Sequence, residues 1–243
     1  MNENIEIRVN DLSRYFGKIK ALDEVSLTFS KGQMHGLIGP EGAGKTTLLR
    51  IIVGLLKANG GTVSYYSNDV VTSLSAVRET IGYMPQQQSL YPDLSIDEHL
   101  DFFRDLYDLP ESVYKARRSE LLHITRLEKF IERPAKKLSG GMYKKLGLAC
   151  ALLQSPTVLL LDEPTNGVDP ISRREFWDLL YRLKEQNILI IITTAYMDEA
   201  ERCSEVHLLE SGKLIGTGEP KEVLKKAGVE SFDEFFRKKT GGV

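Results

Sequence analysis

The chain has 243 residues, enough for one large domain or a core with a subdomain, and 42% hydrophobic with 27% charged residues is an ordinary globular composition. Its net charge of −2 gives no electrostatic footprint for nucleic acid, so no nucleic-acid partner is expected. No apolar run approaches the ~20 residues that span a bilayer, MNENIEIRVN has no apolar signal core, and two cysteines make no disulfide framework, which together point to a reducing cytoplasm.

Strand-like runs open the chain at Ile5–Val9, Val25–Phe29 and Met34–Ile38, followed by helical spacing from Lys45 to Leu56. Further strands are predicted at Thr62–Tyr66, after the turn NGG, and at Ile81–Met84, which Pro85 ends. From about Ser95 to Leu153 the character is helical. SIDE at 95–98 is a capping-box pattern, VYKARRSELLHITRLEKF keeps the spacing, and GMYKKLGLACALL is ended by Ser155–Pro156. Cys150 falls in that last apolar run and reads as a buried thiol. Strands return at Thr157–Leu161, Ile188–Thr193 and Glu205–Leu209, with a helix from Pro170 to Lys184, and PKEVLKKA and SFDEFFRKK read as two short helices. This alternation implies an α/β fold with a mainly parallel sheet and a helical insertion. The basic clusters Lys136–Lys137, Lys144–Lys145 and Arg237–Lys239 read as solvated faces.

GPEGAGKTT at 39–47 matches G-x-x-x-x-G-K-[ST], with the strand MHGLI before it and an apolar helix after it. Gly42 and Gly44 let backbone N–H groups turn inward around phosphates, and Gly39, Pro40, Ala43 and Thr47 complete the loop. Lys45 places a cation on phosphate oxygens, and Thr46 offers a hydroxyl to Mg²⁺. Glu41 adds an anion near a triphosphate and is expected to point away from it. TVLLLDEP delivers two carboxylates at a strand end: Asp162 would hold Mg²⁺ through water, and Glu163 would polarise the attacking water. Ser139, Gly140 and Gly141 stand just ahead of a helix, a second anion site that one nucleotide per chain does not need. A head-to-tail pair of chains resolves this, each closing the other's nucleotide site.

The phosphate loop, LSGGM, LLLDEP and NGVDP stand in the order and approximate spacing of ABC-type ATPases, and the chain resembles that family over nearly its whole length. The resemblance implies ATP and Mg²⁺ as cofactors and a P-loop NTPase (RecA-like) core at about 1–86 and 156–220. It also implies an N-terminal antiparallel β subdomain, a helical subdomain at about 87–155 and a helical tail at 221–243. Gln86 in YMPQQQ resembles the glutamine that senses Mg²⁺ and the attacking water, whereas Gln87 and Gln88 read as solvated. Phe16 aligns best with the aromatic that stacks on adenine, with Tyr15 second, and either could instead be core. Asp169 resembles the aspartate that reaches across the dimer, and it also suits an N-cap before Pro170.

Met142 and IGYMPQQQSLYPDLSIDEHL resemble the drug-exporter branch, which works with ABC-2-type transmembrane permease subunits at the cytoplasmic face of the membrane. KLGLACALL and AYMDEAERC resemble a type of subunit that carries two ATP-binding halves in tandem, so the second ATPase domain would be an identical chain or the other half. On that reading the KKTGGV end is an internal boundary. Most of the family has a histidine where this chain has Ala195. His35, His99, His123 and His207 lie elsewhere, His207 in a strand where it reads as structural, and Tyr196 reads as packing. Loss of one electrostatic contributor often costs about 10²–10³-fold in rate, so slow or partner-dependent hydrolysis is expected. Asp198, Glu199 and Glu201 suit the first turn of a helix. The rival readings are a regulatory half that binds ATP without turnover, and a soluble ABC ATPase of translation or DNA repair.

Overall fold

The computed structural model describes residues 5–239. The first part of the chain forms β1 (Ile5–Phe16), β2 (Ile19–Phe29), β3 (Met34–Ile38), α1 (Lys45–Ile52), β4 (Gly60–Ser67), β5 (Val70–Thr72), α2 (Leu74–Val77) and β6 (Ile81–Met84). The insertion holds α3 (Ile96–Leu106), α4 (Glu111–Thr125) and α5 (Gly140–Leu152). Then come β7 (Val158–Asp162), α6 (Pro170–Glu185), β8 (Leu189–Thr194), β9 (Glu205–Glu210), β10 (Lys213–Gly218), α7 (Pro220–Ala227) and α8 (Phe232–Lys239). One sheet is antiparallel, in the order β2-β1-β4-β5; the other runs β10-β9-β3-β8-β7-β6 and is parallel except for β10.

The runs VLLL and ILIII are apolar throughout because both faces of their strands are covered. Val158, Leu160, Leu189 and Ile191 face the antiparallel sheet and α1, while Leu159, Leu161, Ile190 and Ile192 face the insertion, α6 and α8. All eight are fully buried, and each such side chain contributes roughly 1.5–3 kcal/mol. The register of β7 against β8 is thereby fixed, and with it the level at which Asp162 emerges. The capping box is present at α3: Ser95 Oγ accepts from Glu98 N, and Glu98 Oε2 accepts from Ser95 N at 2.7 Å.

Several elements differ from the sequence reading. Strands β1 and β2 run longer than their apolar segments, because register shifts after Val9, near Asp11 at φ +48°, interrupt the alternation. Helix α1 stops at Ile52 rather than Leu56, since Gly54 takes φ +78° and the N–H groups of Leu55 and Leu56 both bond to Arg50 O. Strands β5, with Val70 and Val71 exposed, and the partly buried β10 were not anticipated, their apolar runs being only two residues long. The Lys144–Lys145 pair is not a solvated face: Lys145 is buried against Glu175 at 2.5 Å, and Lys144 Nζ lies 3.4 Å from Glu163 O and 3.5 Å from Gln86 O.

The acidic stretch after β8 is a 3₁₀ turn, and Glu199 in it is fully buried. Its Oε1 accepts from Thr165 Oγ1 at 2.8 Å, Arg173 Nε at 2.6 Å and Trp177 Nε1 at 3.0 Å. His207 is structural, as expected. Ser30 N donates to His35 Nε2 at 3.0 Å, His35 Nδ1 faces His207 Nε2 at 3.1 Å, and His207 Nδ1 faces Thr217 Oγ1 at 2.8 Å. Burial holds these imidazoles neutral, pushing His35 down to about 4 and His207 to about 3.

Candidate functional site

The C-terminal ends of β3, β7 and β8 lie side by side, with Ile38 opposite Thr194 and Asp162 opposite Thr193. Ligands of open α/β sheets sit at this edge. The chain leaving β3 turns back into α1 through Gly42 and Gly44, at φ +77° and +105°. A Cβ on Gly44 would lie 2.4 Å from Ala21 O, so backbone crowding as well as the dihedral demands glycine there. Gly44 is the N-cap of α1 and offers no side-chain acceptor, which leaves the first N–H groups of the helix to an outside anion.

A cavity of about 430 Å³ opens over this turn, lined by the loop together with Phe16, Gln86 and Glu163. Gly42, Ala43, Gly44, Lys45, Thr46 and Thr47 all border it, whereas Gly39 and Pro40 act from beneath through their carbonyls. Lys45 Nζ donates to Gly39 O at 2.7 Å and Pro40 O at 2.9 Å, and stands 3.3 Å from Glu163 Oε1. Glu41 is exposed and borders the same cavity. Phe16 is 45% exposed at the far wall, with the Arg14 guanidinium 4.6 Å over its ring. Tyr15 is not part of that wall.

Thr46 Oγ1 donates to Asp162 Oδ1 at 2.9 Å, and Thr193 Oγ1 donates to the same oxygen at 2.7 Å. Asp162 Oδ2 is buried and has no hydrogen-bond partner among the described residues. Burial raises the carboxyl, opposed by the Thr193 and Thr46 hydroxyls, while neighbouring Glu163 raises it further. A hydroxyl beside an orphaned carboxylate oxygen is a hard, oxygen-only donor set, and it fits Mg²⁺.

Glu163 has φ +46°, a left-handed conformation that costs energy in a residue with a side chain. Its N–H is fixed by Thr193 O at 3.2 Å and Thr193 Oγ1 at 2.9 Å. Its Oε2 accepts from Gln86 Nε2 at 2.9 Å and from Asn166 Nδ2 at 3.2 Å. Beside it, Ala195 borders a second cavity of about 90 Å³, shared with Glu41, Glu163, Asn166, Thr194 and Tyr196. Thr193, Asn166 and Lys144 were missed by the sequence reading. Only Thr193 left a trace, as a hydroxyl at the end of an apolar strand.

Ser139, Gly140, Gly141 and Asp169 are not brought to the cavity of about 430 Å³. They cluster elsewhere, at the start of α5 and α6. Ser139 Oγ accepts from Met142 N at 3.3 Å, and a Cβ on Gly141 would meet Ser172 at 2.5 Å. Asp169 Oδ1 caps α6, accepting from Ile171 N at 3.1 Å and Ser172 N at 3.0 Å. Ser139, Gly140 and Asp169 are all exposed.

A family model described as ABC transporter matches residues 22–166, more than half of the chain. The chain belongs to the ABC transporter family. Among ABC relatives, the probable multidrug ABC transporter ATP-binding protein YbhF of Escherichia coli (strain K12) is 44% identical over 234 residues, covering 96% of this chain and 40% of its own length. The chain thus spans less than half of that relative. A solved ATP-binding subunit of an ABC transporter superposes with a TM-score of 0.83 at 29% identity, covering 96% of this chain and 99% of its own. A bacterial ABC transporter cassette solved as a dimer gives a TM-score of 0.77 at 26% identity, over 88% of this chain and 98% of its own. Among the described residues of this ABC chain, no helix is long and apolar enough to cross a membrane.

Proposed function

We propose that the chain is the ATP-binding and ATP-hydrolysing motor of a membrane exporter, working beside a second ATP-binding domain. The observation that carries this reading is the convergence on one cavity of Lys45, the Thr46–Asp162 pair and a Glu163 carboxylate held by Gln86. When bound, ATP supplies the phosphoanhydride bond and Mg²⁺ neutralises charge on its oxygens. Loop N–H groups and Lys45 would bind the phosphates, the ammonium exchanging its carbonyl partners for them. Thr46, Asp162 and Gln86 would hold the metal and its waters. Glu163 would orient a water and accept its proton. Phe16 would stack on the base.

The exposed Ser139, Gly140 and Asp169, with Gly141 packed behind them against Ser172, would meet the nucleotide of a second ABC domain, in an identical chain or in a tandem half. The coverage of YbhF and the dimeric cassette support that pairing. The multidrug transporter wording of the YbhF name supports transmembrane export partners, and the sequence resemblance alone suggests the ABC-2 type and the cytoplasmic face. Ala195 puts only a methyl group beside Glu163, which makes intrinsic hydrolysis slow. Purified protein should bind ATP·Mg²⁺. Glu163→Gln should keep binding, lose turnover and run as an ATP-dependent dimer on size exclusion, and persistent monomers would count against the pairing. Ala195→His should raise turnover. Ordinary transporter rates in the parent, unchanged by A195H, would overturn the slow-motor reading.

A further inference from the structure

We infer that Asn166 is a positioning residue for Glu163, steadied by Tyr196 and acting on the carboxylate from the side where Ala195 has nothing to offer; this rests on reading the site as an ATPase. The turn after β7 closes with a hydrogen bond from Asn166 N to Glu163 O at 3.2 Å. That turn folds residue 166 back over residue 163, and Asn166 Nδ2 reaches Glu163 Oε2 at 3.2 Å. The acceptor-only carboxylate calls for the NH2 end of the amide, which leaves Asn166 Oδ1 to face the Tyr196 hydroxyl at 3.4 Å. Carboxylate and amide are therefore matched acceptor to donor.

Behind this amide runs a chain of contacts that ends on a buried carboxylate. The Arg173 guanidinium lies 4.5 Å over the Tyr196 ring, and Arg173 is tied to Asp198 at 2.9 Å and to the buried Glu199 at 2.6 Å. Glu199 also holds Thr165, the residue before Asn166. Gln86, the other amide on Glu163 Oε2, is exposed and belongs to the segment leading into the helical insertion. Asn166 holds the same oxygen from the turn that carries Glu163 itself, independently of Gln86. The cavity of about 90 Å³ beside Ala195 leaves room for a larger side chain at 195, which makes the two positions testable as alternatives.

The experiment is a double-mutant cycle on steady-state ATP hydrolysis, with Asn166→Ala, Ala195→His and the combination, and Tyr196→Phe beside it. Asn166→Ala should lower kcat about tenfold with KM for ATP within about twofold, because one hydrogen bond to a charged group is lost without loss of nucleotide contacts. Tyr196→Phe should lower kcat about two- to threefold. In the A195H background, removing Asn166 should cost less than about twofold. A purely structural role would shift KM and thermal stability alongside kcat and would give equal losses in both backgrounds. Unchanged kcat in N166A, or the same loss with and without A195H, overturns the inference. So does a parent that binds ATP without turning it over while A195H does turn it over. A parent that fails to bind ATP sinks the underlying ATPase reading instead.

Discussion

Replacing Glu199 by alanine should destabilise the protein by about 3–5 kcal/mol. The carboxylate is fully buried and one of its oxygens serves Thr165, Arg173 and Trp177 together. Truncation strands a buried indole N–H and a buried hydroxyl, each costing about 1–3 kcal/mol, and takes the inner partner from Arg173. Arg173 keeps Asp198 and is partly exposed, so water recovers some of its share and the lower half of the range is expected. In a chain of this size that amounts to a fall of roughly 6–20 °C in Tm. Urea denaturation at constant m-value is the assay. Glu199→Gln retains one acceptor in the same shape and should lose about half as much. A loss under about 1 kcal/mol in Glu199→Ala, or equal losses in the two variants, would refute the view of Glu199 as a shared buried acceptor.

Phe16→Ala should weaken ATP about three- to tenfold by fluorescence or calorimetric titration, from loss of a stacking partner, whereas Tyr15→Ala should change it less than twofold. Stability should fall as pH is lowered from about 6.5 towards 4. His35 and His207 are neutral in the fold, with values of about 4 and 3, but take up protons near 6.5 once unfolded, so acid draws the equilibrium towards the unfolded chain. Each contributes about 1.4 kcal/mol per pH unit across that window, with Glu205 3.7 Å from His35 as the nearest acid. His207→Gln should flatten the slope measured by thermal melts at successive pH values.

The architecture was readable because its strongest signals are periodic or punctuated. Continuous apolar runs marked the strands buried on both faces, and the glycine-rich turn between a strand and a helix marked the phosphate loop. Asp162 and Glu163 were legible because they follow such a run directly. Short elements open to water, such as β5 and β10, left no comparable pattern. Asn166, Tyr196, Arg173 and Glu199 come together only through the packing of α6 against the turn after β8, and their spacing in sequence does not disclose it. Glu199 shows the difference most plainly. Between Asp198 and Glu201 it looks like one of several solvated acids, yet it alone turns inward to Trp177.

Helix α5 has its exposed end at Ser139 and Gly140, and Lys144 one turn further on reaches the backbone carbonyls of both Gln86 and Glu163. At about 1.5 Å per residue, roughly 7.5 Å of stiff rod separates Ser139 from Lys144. The outer tip of α5 is thereby joined to the peptide units of Gln86 and Glu163 through one turn of helix and one lysine side chain.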